Sequence, residues 1–240
     1  SLETFLLLAN NHSFSKTAEM QHIVQNTLAT WEDYPGVSGA AGEDKIPQSA
    51  AVVIDQKTGE LRAIVGGREA PEVRKGWNRA YQSATEVGSS IKPLSVYGPA
   101  LDLGLSPASA VVNIPDPIVG WDTETGYPAI GSEKYEGIIT LRRGVVSSLN
   151  VAAARTLLED VSLQTGADYL AKLGVDPSRI KTTGSGLALG AMGITPIEMA
   201  GAYAAIANEG KYIKPVSFSR VVDQNGKVIL DSSKLRTEQQ

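Results

Sequence analysis

Apolar and polar positions along the chain change their period several times, and these changes divide the sequence into predicted helices and hairpins. Two short β-branched runs within 49–67, separated by a turn at Gly59, predict an antiparallel hairpin. A second hairpin is predicted at 219–230, around the turn-forming pair Asn225-Gly226. Helical spacing and capping signals predict five helical segments, at 16–34, 89–104, 140–161, 163–174 and 195–210.

Individual residues mark where several of these helices begin, break or end. In 89–104, Pro93 falls in the first turn, where its missing N–H does least harm, and Gly104 follows the last turn. The run SSLN inside 140–161 carries polar side chains that compete for backbone hydrogen bonds, so we predict a break there. The last helix has a cap, a first-turn proline, a capping-box partner and a terminator in Thr195, Pro196, Glu198 and Gly210.

The remaining segments, 35–47, 67–88 and 105–139, lack a period and are predicted to be irregular. Two hairpins are little sheet for at least four helices, because an isolated two-stranded ribbon is marginal in water. The predicted fold class is therefore α/β, of the α+β type. A helical cluster packs on an antiparallel sheet, and that sheet is incomplete in this chain.

Composition narrows the possible functions. Of the 240 residues, 42% are hydrophobic and 20% charged, which is typical of a globular protein. The net charge of −4 comes with no basic run, so no nucleic-acid partner is expected. There is no cysteine, and the two histidines, His12 and His22, both precede the predicted compact region. We therefore expect no metal, no cofactor and no histidine-based catalytic triad.

One short stretch, GSSIKP at 88–93, has the spacing of a serine nucleophile and its base. Positions three apart share a helix face, so Lys92 can approach Ser89. The helix N-terminus disfavours a second positive charge, which would lower the pKa of Lys92 and let its neutral amine take the serine proton. A serine cap followed by a solvated lysine would produce the same letters, so this spacing is a weak signal by itself.

A second motif changes that assessment. SLN at 148–150 follows Ser89 by 59 residues, and S-x-x-K followed by S-x-N resembles the penicillin-binding proteins and serine β-lactamases. Longer blocks extend the likeness to the transpeptidase domain of class A, bifunctional penicillin-binding proteins, in the expected order over most of 50–230. These blocks are AAVVIDQKTGELRAIVGG, WNRAYQSATEVGSSIKP, YEGIITLRRGVVSSLNVAAARTLL and LALGAMGITPIEMAGAYAAIANEGKYIKP.

The resemblance implies a peptidoglycan D,D-transpeptidase. Ser89 would attack the D-Ala-D-Ala end of a stem peptide, and Lys92 would accept its proton. Ser148 would pass a proton to the leaving D-alanine, and Asn150 would hold Lys92 and the substrate amide. An amine of a second stem peptide would then resolve the acyl-enzyme and form the cross-link. A β-lactam antibiotic would be trapped at the same serine, because its ring mimics the substrate.

The family's third motif, K-T-G on a core strand, is not found where the resemblance expects it. KTTGSG at 181–186 has the wrong spacing and precedes LALGAMGITPIEMA, so we interpret Lys181 as a loop residue. The resemblance implies that a downstream segment supplies K-T-G and that another segment anchors the protein at the outer face of the bacterial cytoplasmic membrane. The predicted division is an N-terminal helix and linker at 1–48, and the N-terminal part of the transpeptidase domain at 49–240.

Two alternatives remain open. A serine β-lactamase would hydrolyse its acyl-enzyme with an activated water, but no E-x-x-L-N segment follows SLN as it does in class A β-lactamases. A sensor or pseudoenzyme would bind β-lactams or peptidoglycan without turnover.

The segment between NRA and GSS also departs from the family, since YQSATEV stands where a basic residue and a proline are common.

Overall fold

The structure is a computed structural model that describes residues 11–34, 47–69, 76–121, 123–129, 134–234 and 238–239. Most of the predicted loop at 35–47 lies outside these residues, as do parts of the loops predicted at 67–88 and 105–139. Within them, no helix combines the length and the apolar character that crossing a membrane requires.

Short helices and two-residue to five-residue strands alternate along the chain. The α-helices are α1 (Asn11–Thr30), α2 (Arg79–Gln82), α3 (Gly98–Asp102), α4 (Leu141–Val146), α5 (Asn150–Arg155), α6 (Leu163–Lys172), α7 (Gly184–Leu189) and α8 (Pro196–Ala207). The strands are β1 (Ala51–Ile54), β2 (Leu61–Val65), β3 (Thr85–Glu86), β4 (Ala110–Asn113), β5 (Gly137–Thr140), β6 (Gly193–Ile194), β7 (Tyr212–Ile213), β8 (Arg220–Val222), β9 (Val228–Asp231) and β10 (Glu238–Gln239).

Contacts divide the chain into two compact units. One is built from residues 1–84 and 195–240, and the other from 85–194. Each described strand pair is antiparallel and lies within one of these units, in the pairs β1–β2, β3–β6, β4–β5, β7–β10 and β8–β9. The predicted domain boundary near residue 48 stays a prediction.

The first unit is organised around the predicted hairpin β1–β2, in which Val52 lies opposite Ile64. Helix α8 packs on β1, and α1 packs on β2. The carboxamide of Gln21 in α1 donates to Ile64 O and accepts from Ile64 N, so this side chain bonds the strand as a neighbouring strand would. These contacts confirm the predicted arrangement of helices on an antiparallel ribbon.

Two further predictions for the first unit hold. Helix α8 begins with the predicted capping box, because Thr195 and Glu198 bond each other's backbone N–H groups. The hairpin β8–β9 turns through Gly226, whose φ of +81° suits the absence of a side chain. Short elements inside 67–88 contradict the prediction of a wholly irregular segment: Asn78 caps helix α2, and β3 follows it.

In the second unit, one continuous helical segment, residues 88–102, forms the predicted helix at 89–104. It begins as a 3₁₀ turn at Gly88–Ile91, continues as a π-helical turn at Pro93–Tyr97 and ends as α3. Gly104, predicted as the terminator, has a φ of +99°.

The prediction of a structureless segment at 105–139 was wrong. Strands β4 and β5 pair within it, with Val111 opposite Ile139. Val111 packs on Leu149 and Ala152, so this ribbon covers the region of the SSLN break. Four-residue strands flanked by glycine and proline carry too short an alternation to be recognised from pattern alone.

The long helix predicted at 140–161 is broken at the predicted place. Helix α4 ends at Val146, a turn occupies 147–149, and α5 begins at Asn150 and continues as a π-helical turn to Val161. No element was predicted between α6 and α8, where the structure has α7 and β6. Both are short, and α7 contains two glycines and β6 one, which weakens their helical and strand signals.

Candidate active site

In the second unit, three of the four predicted site residues are in direct contact: Lys92 bonds both Ser148 and Asn150. The Nζ atom of Lys92 donates to Ser148 O at 2.7 Å, Ser148 Oγ at 3.2 Å and Asn150 Oδ1 at 2.5 Å. The lysine is only 2% exposed. A buried amine costs free energy unless its hydrogen-bonding capacity is used, and these oxygen acceptors use it.

Ser89 lies one 3₁₀ turn before Lys92. The Lys92 backbone N–H donates to Ser89 O, which closes an i to i+3 ring. Side chains three residues apart eclipse one another in this geometry, so Ser89 and Lys92 leave the helix on the same side. Ser89 is exposed, whereas Lys92 is buried. The turn therefore combines an exposed serine with a buried lysine three residues later.

The neighbouring Ser90 is also exposed, but its hydroxyl is engaged locally. Its Oγ donates to Val87 O at 2.6 Å. This bond returns the side chain to the backbone at the start of the helix. The Ser90 hydroxyl is therefore held within its own turn.

Ser148 stands in an uncommon backbone conformation. Its φ is +53°, in the left-handed region that residues other than glycine and asparagine rarely adopt. The turn is closed by Ser148 N donating to Val145 O and Leu149 N donating to Gly144 O. This conformation points both the carbonyl oxygen and the hydroxyl of Ser148 at Lys92. Such strain persists only where surrounding contacts fix it, and it is frequent at functional sites.

Asn150 is the first residue of α5, whose body is buried from Val151 to Arg155. Because the rest of α5 is buried, the backbone position of Asn150 is fixed, and its carboxamide oxygen can bond Lys92. Sequence places these two residues 58 positions apart. The break between α4 and α5 is therefore what brings the second motif to the first.

The backbone near Ser89 offers donors for negative charge. The Gly88 N–H donates to Gly190 O at 3.3 Å. The next N–H, that of Ser89, belongs to the first helical turn, where backbone donors have no acceptor within the helix. Such donors, together with the helix dipole, stabilise an anion that develops beside them.

Lys181, the lysine of KTTGSG, lies in a loop as predicted and is exposed. Its Nζ donates to the backbone oxygen of Ala191 at 3.1 Å. The threonine two residues later, Thr183, caps α7 by accepting from Gly186 N. These contacts give the KTTGSG segment a structural role.

The rim near the second motif carries one ion pair. Arg143 in α4 donates two hydrogen bonds to Glu136, at 3.0 and 2.7 Å, and this guanidinium holds the pKa of the Glu136 carboxyl below its usual value. Both groups are well solvated, so we expect the pair to contribute little to stability.

Two structural features of the site were missed from the sequence. One is the left-handed Ser148, because serine does not signal positive φ as glycine or asparagine does. The other is Gly190, whose contact with Gly88 involves no side chain and so leaves no sequence pattern.

Among the described residues there is no group of three His, Cys, Asp or Glu side chains that could hold a metal ion.

Comparison with known proteins identifies a family for this chain. A profile of the penicillin binding protein transpeptidase domain matches residues 49–240. Penicillin-binding protein 1A of Clostridium tetani is 34% identical over 227 residues, which cover 89% of this chain. The chain spans only 28% of the length of that relative.

Solved structures give the same result. The crystal structure of penicillin-binding protein 1A from Haemophilus influenzae matches with a TM-score of 0.66 and 32% identity, over 79% of this chain and 28% of that one. The PonA1 protein from Mycobacterium tuberculosis in complex with penicillin V matches with a TM-score of 0.68 and 25% identity, over 97% of this chain and 60% of that one. The chain therefore belongs to the penicillin-binding protein transpeptidase domain family, and the predicted resemblance to its class A members is confirmed.

Proposed function

We propose that this chain carries the acylation machinery of a peptidoglycan D,D-transpeptidase. One observation carries the proposal: a lysine that is 2% exposed bonds the hydroxyl and carbonyl of Ser148 and the amide of Asn150, one turn after an exposed serine. A serine nucleophile must be activated by an adjacent base, and a lysine can serve as that base where no histidine takes part.

In the proposed acylation step, the C–N bond of the substrate is replaced by a C–O bond to Ser89, and one proton is transferred overall from Ser89 to the leaving amine. Ser89 Oγ attacks the carbonyl carbon between the two terminal D-alanines of a stem peptide, and its proton passes to the neutral amine of Lys92. The Ser89 N–H stabilises the oxyanion of the tetrahedral intermediate. When the C–N bond breaks, the leaving D-alanine amine takes a proton from Ser148 Oγ, and Lys92, whose Nζ lies 3.2 Å from that oxygen, passes the proton of Ser89 on to Ser148 and is neutral again. The products are an acyl-serine and free D-alanine.

The second half-reaction reverses the proton path. An amine from a neighbouring stem peptide attacks the acyl-serine, gives up a proton through Ser148 and Lys92, and leaves a cross-linked peptide with Ser89 protonated again. Three oxygen acceptors around Lys92 suit its charged form, which is the form present after it has taken the serine proton. The observed contacts thus fit the tetrahedral intermediate, in which Lys92 holds the proton of Ser89.

β-Lactams would acylate Ser89 by the same attack, with the ring amide in place of the D-Ala-D-Ala bond. The likeness to PonA1, whose structure holds penicillin V, supports this part of the proposal. The further partners that we propose are a segment bearing the family's K-T-G motif, which would receive the substrate carboxylate, and a membrane anchor that holds the domain on the outer face of the cytoplasmic membrane. The relatives' class supports that location.

A fluorescent penicillin tests the proposal in the protein as it occurs, with whatever sequence flanks residues 1–240. We expect covalent labelling that is released slowly, together with cross-linked product when a lipid-linked stem-peptide substrate is supplied. Rapid release would indicate a β-lactamase. Slow release without any cross-linking would indicate a sensor or pseudoenzyme. Absence of labelling would overturn the assignment of Ser89 as a nucleophile.

A further inference from the structure

The segment that follows α7 runs beside the turn that carries Ser89. Strand β6 pairs antiparallel with β3, with Glu86 opposite Gly193, and Gly88 N donates to Gly190 O at 3.3 Å. Backbone bonds therefore continue from the short ladder up to the residue directly before Ser89. The position of that residue depends on the 190–194 segment.

Gly190 is the point of closest approach. It is buried, and its φ is +70°. A Cβ built at this position would lie 2.2 Å from Gly88 O and 2.5 Å from Gly88 N, closer than real Cβ atoms come to any heavy atom. Both contacts are with backbone, which cannot rotate aside as a flexible side chain can. Any larger residue at 190 must therefore displace the peptide that leads into Ser89.

The segment cannot simply withdraw, because it is held on both sides of Gly190. Before it, the buried Ser95 Oγ lies 2.5 Å from Leu187 O and 3.1 Å from Ile91 O, so it joins α7 to the helix at 88–102. After it, Lys181 donates to Ala191 O. These contacts hold Gly190 against Gly88.

We infer that Gly190 is a positioning residue for the nucleophile. By occupying the space beside Gly88 without a side chain, it sets the orientation of the Gly88–Ser89 peptide, and with it the Ser89 N–H and the start of the Ser89 side chain. An oxyanion donor acts only at about 2.7–3.1 Å from the developing charge. Misplacing a reacting group by about 1 Å can cost about 10²-fold in rate. The inference rests on the proposed function, in which Ser89 is acylated.

A matched pair of glycine variants tests it. Gly104 also has a positive φ, of +99°, but a Cβ there would meet nothing within 4 Å. Gly190→Ala and Gly104→Ala therefore both place alanine at a positive φ, but only Gly190→Ala clashes with Gly88. In the protein as it occurs, stopped-flow acylation by benzylpenicillin separates the dissociation constant of the first complex from the acylation rate constant. We expect Gly190→Ala to lower the rate constant by about 10²-fold with little change in the dissociation constant, and Gly104→Ala to change neither.

The labelled fraction at saturation separates positioning from folding. A folding defect lowers the final amplitude and leaves the rate constant of the folded molecules unchanged, whereas a displaced Ser89 lowers the rate constant and still reaches full amplitude. Ser95→Ala, which loosens α7 without a clash, should lower the rate constant in the same direction by a smaller factor. This second variant decides the matter if Gly190→Ala yields no folded protein.

The outcomes are distinct. An unmodified protein that is not acylated contradicts the proposed function itself. An acylated protein in which Gly190→Ala reacts as fast as Gly104→Ala overturns the positioning role alone. The same conclusion follows if Gly190→Ala does not fold and Ser95→Ala reacts at the unmodified rate.

Discussion

Two segments of the second unit contain a lysine within three residues of a serine or threonine, but the surroundings of the two lysines differ. In GSSIK, Lys92 is buried and its amine meets three oxygens that belong to the Ser148 turn and Asn150. In KTTGSG, Lys181 is exposed and bonds one backbone oxygen, that of Ala191. A lysine becomes a candidate base when the fold removes it from water and brings proton acceptors to it, and a matching motif alone does neither.

Exchanging each lysine for arginine tests whether Lys92 and Lys181 differ in their effect on acylation. Lys92→Arg keeps the positive charge but replaces an amine that can release its proton with a guanidinium that cannot. We expect β-lactam acylation to fall by about 10²–10⁴-fold, the range typical of a lost general base. Lys181→Arg should acylate at the unmodified rate. Stopped-flow acylation measures both, and thermal melting shows whether the buried Lys92→Arg remains folded. Near-normal acylation by Lys92→Arg would mean that charge alone matters.

Two variants of Ser148 separate the chemical role of its hydroxyl from the strain of its backbone. Ser148→Ala and Ser148→Gly both remove the hydroxyl, so each should slow acylation by roughly 10²-fold if Ser148 relays the proton. The two should differ in stability, because a left-handed φ of +53° costs alanine about 1 kcal/mol that glycine avoids. Chemical denaturation measures this difference. Equal acylation by both variants and the unmodified protein would remove Ser148 from the proton path.

Asn150 should tune the proton affinity of Lys92. Asn150→Asp places a carboxylate where the 2.5 Å contact to Lys92 Nζ now lies. An adjacent negative charge favours the ammonium form, so the lysine pKa rises and the rising limb of the acylation pH profile should move to higher pH, by about one unit. Asn150→Ala removes an acceptor and should move that limb to lower pH. Profiles that do not move in either variant would contradict Lys92 as the titrating base.

The smallest effect is expected at KTTGSG. Thr183→Ala removes the cap of α7 and should lower the free energy of unfolding by about 1 kcal/mol. The acylation rate constant of the folded protein should change less than in any variant of Lys92, Ser148 or Asn150. Thr183→Ser keeps the capping oxygen and serves as the control. A large loss of acylation in Thr183→Ala at full amplitude would show that KTTGSG takes part in the chemistry.

The sequence predicted local features of this molecule better than contacts between residues that are far apart in the chain. Caps and terminators such as Thr195 and Gly104 act within one turn, and the structure agrees with both predictions. Pro93 was predicted in the first helical turn, but it lies just after that turn, at the start of the π-helical turn. The contact of Lys92 with Ser148 joins residues 56 positions apart, and only the resemblance to a known family anticipated it. No local pattern could have shown that the turn between α4 and α5 would fold back onto the first motif.

The features that escaped prediction have physical reasons of their own. Strands β4 and β5 have four residues each, too few for a clear alternation. The approach of Gly190 to Gly88 depends on an absent side chain, so composition offers no trace of it. The positive φ of Ser148 is imposed by tertiary contacts against the preference of serine.

The central claim is that Ser89 is the nucleophile, because it is exposed one 3₁₀ turn before the buried Lys92, while Ser90 bonds the backbone of Val87. The most direct measurement is mass spectrometry of the protein trapped with benzylpenicillin, with peptide fragmentation that resolves residues 88–90. We expect the added mass on Ser89, with labelling absent in Ser89→Ala and largely kept in Ser90→Ala. Added mass on Ser90 or Ser148, or labelling that survives Ser89→Ala, would contradict it.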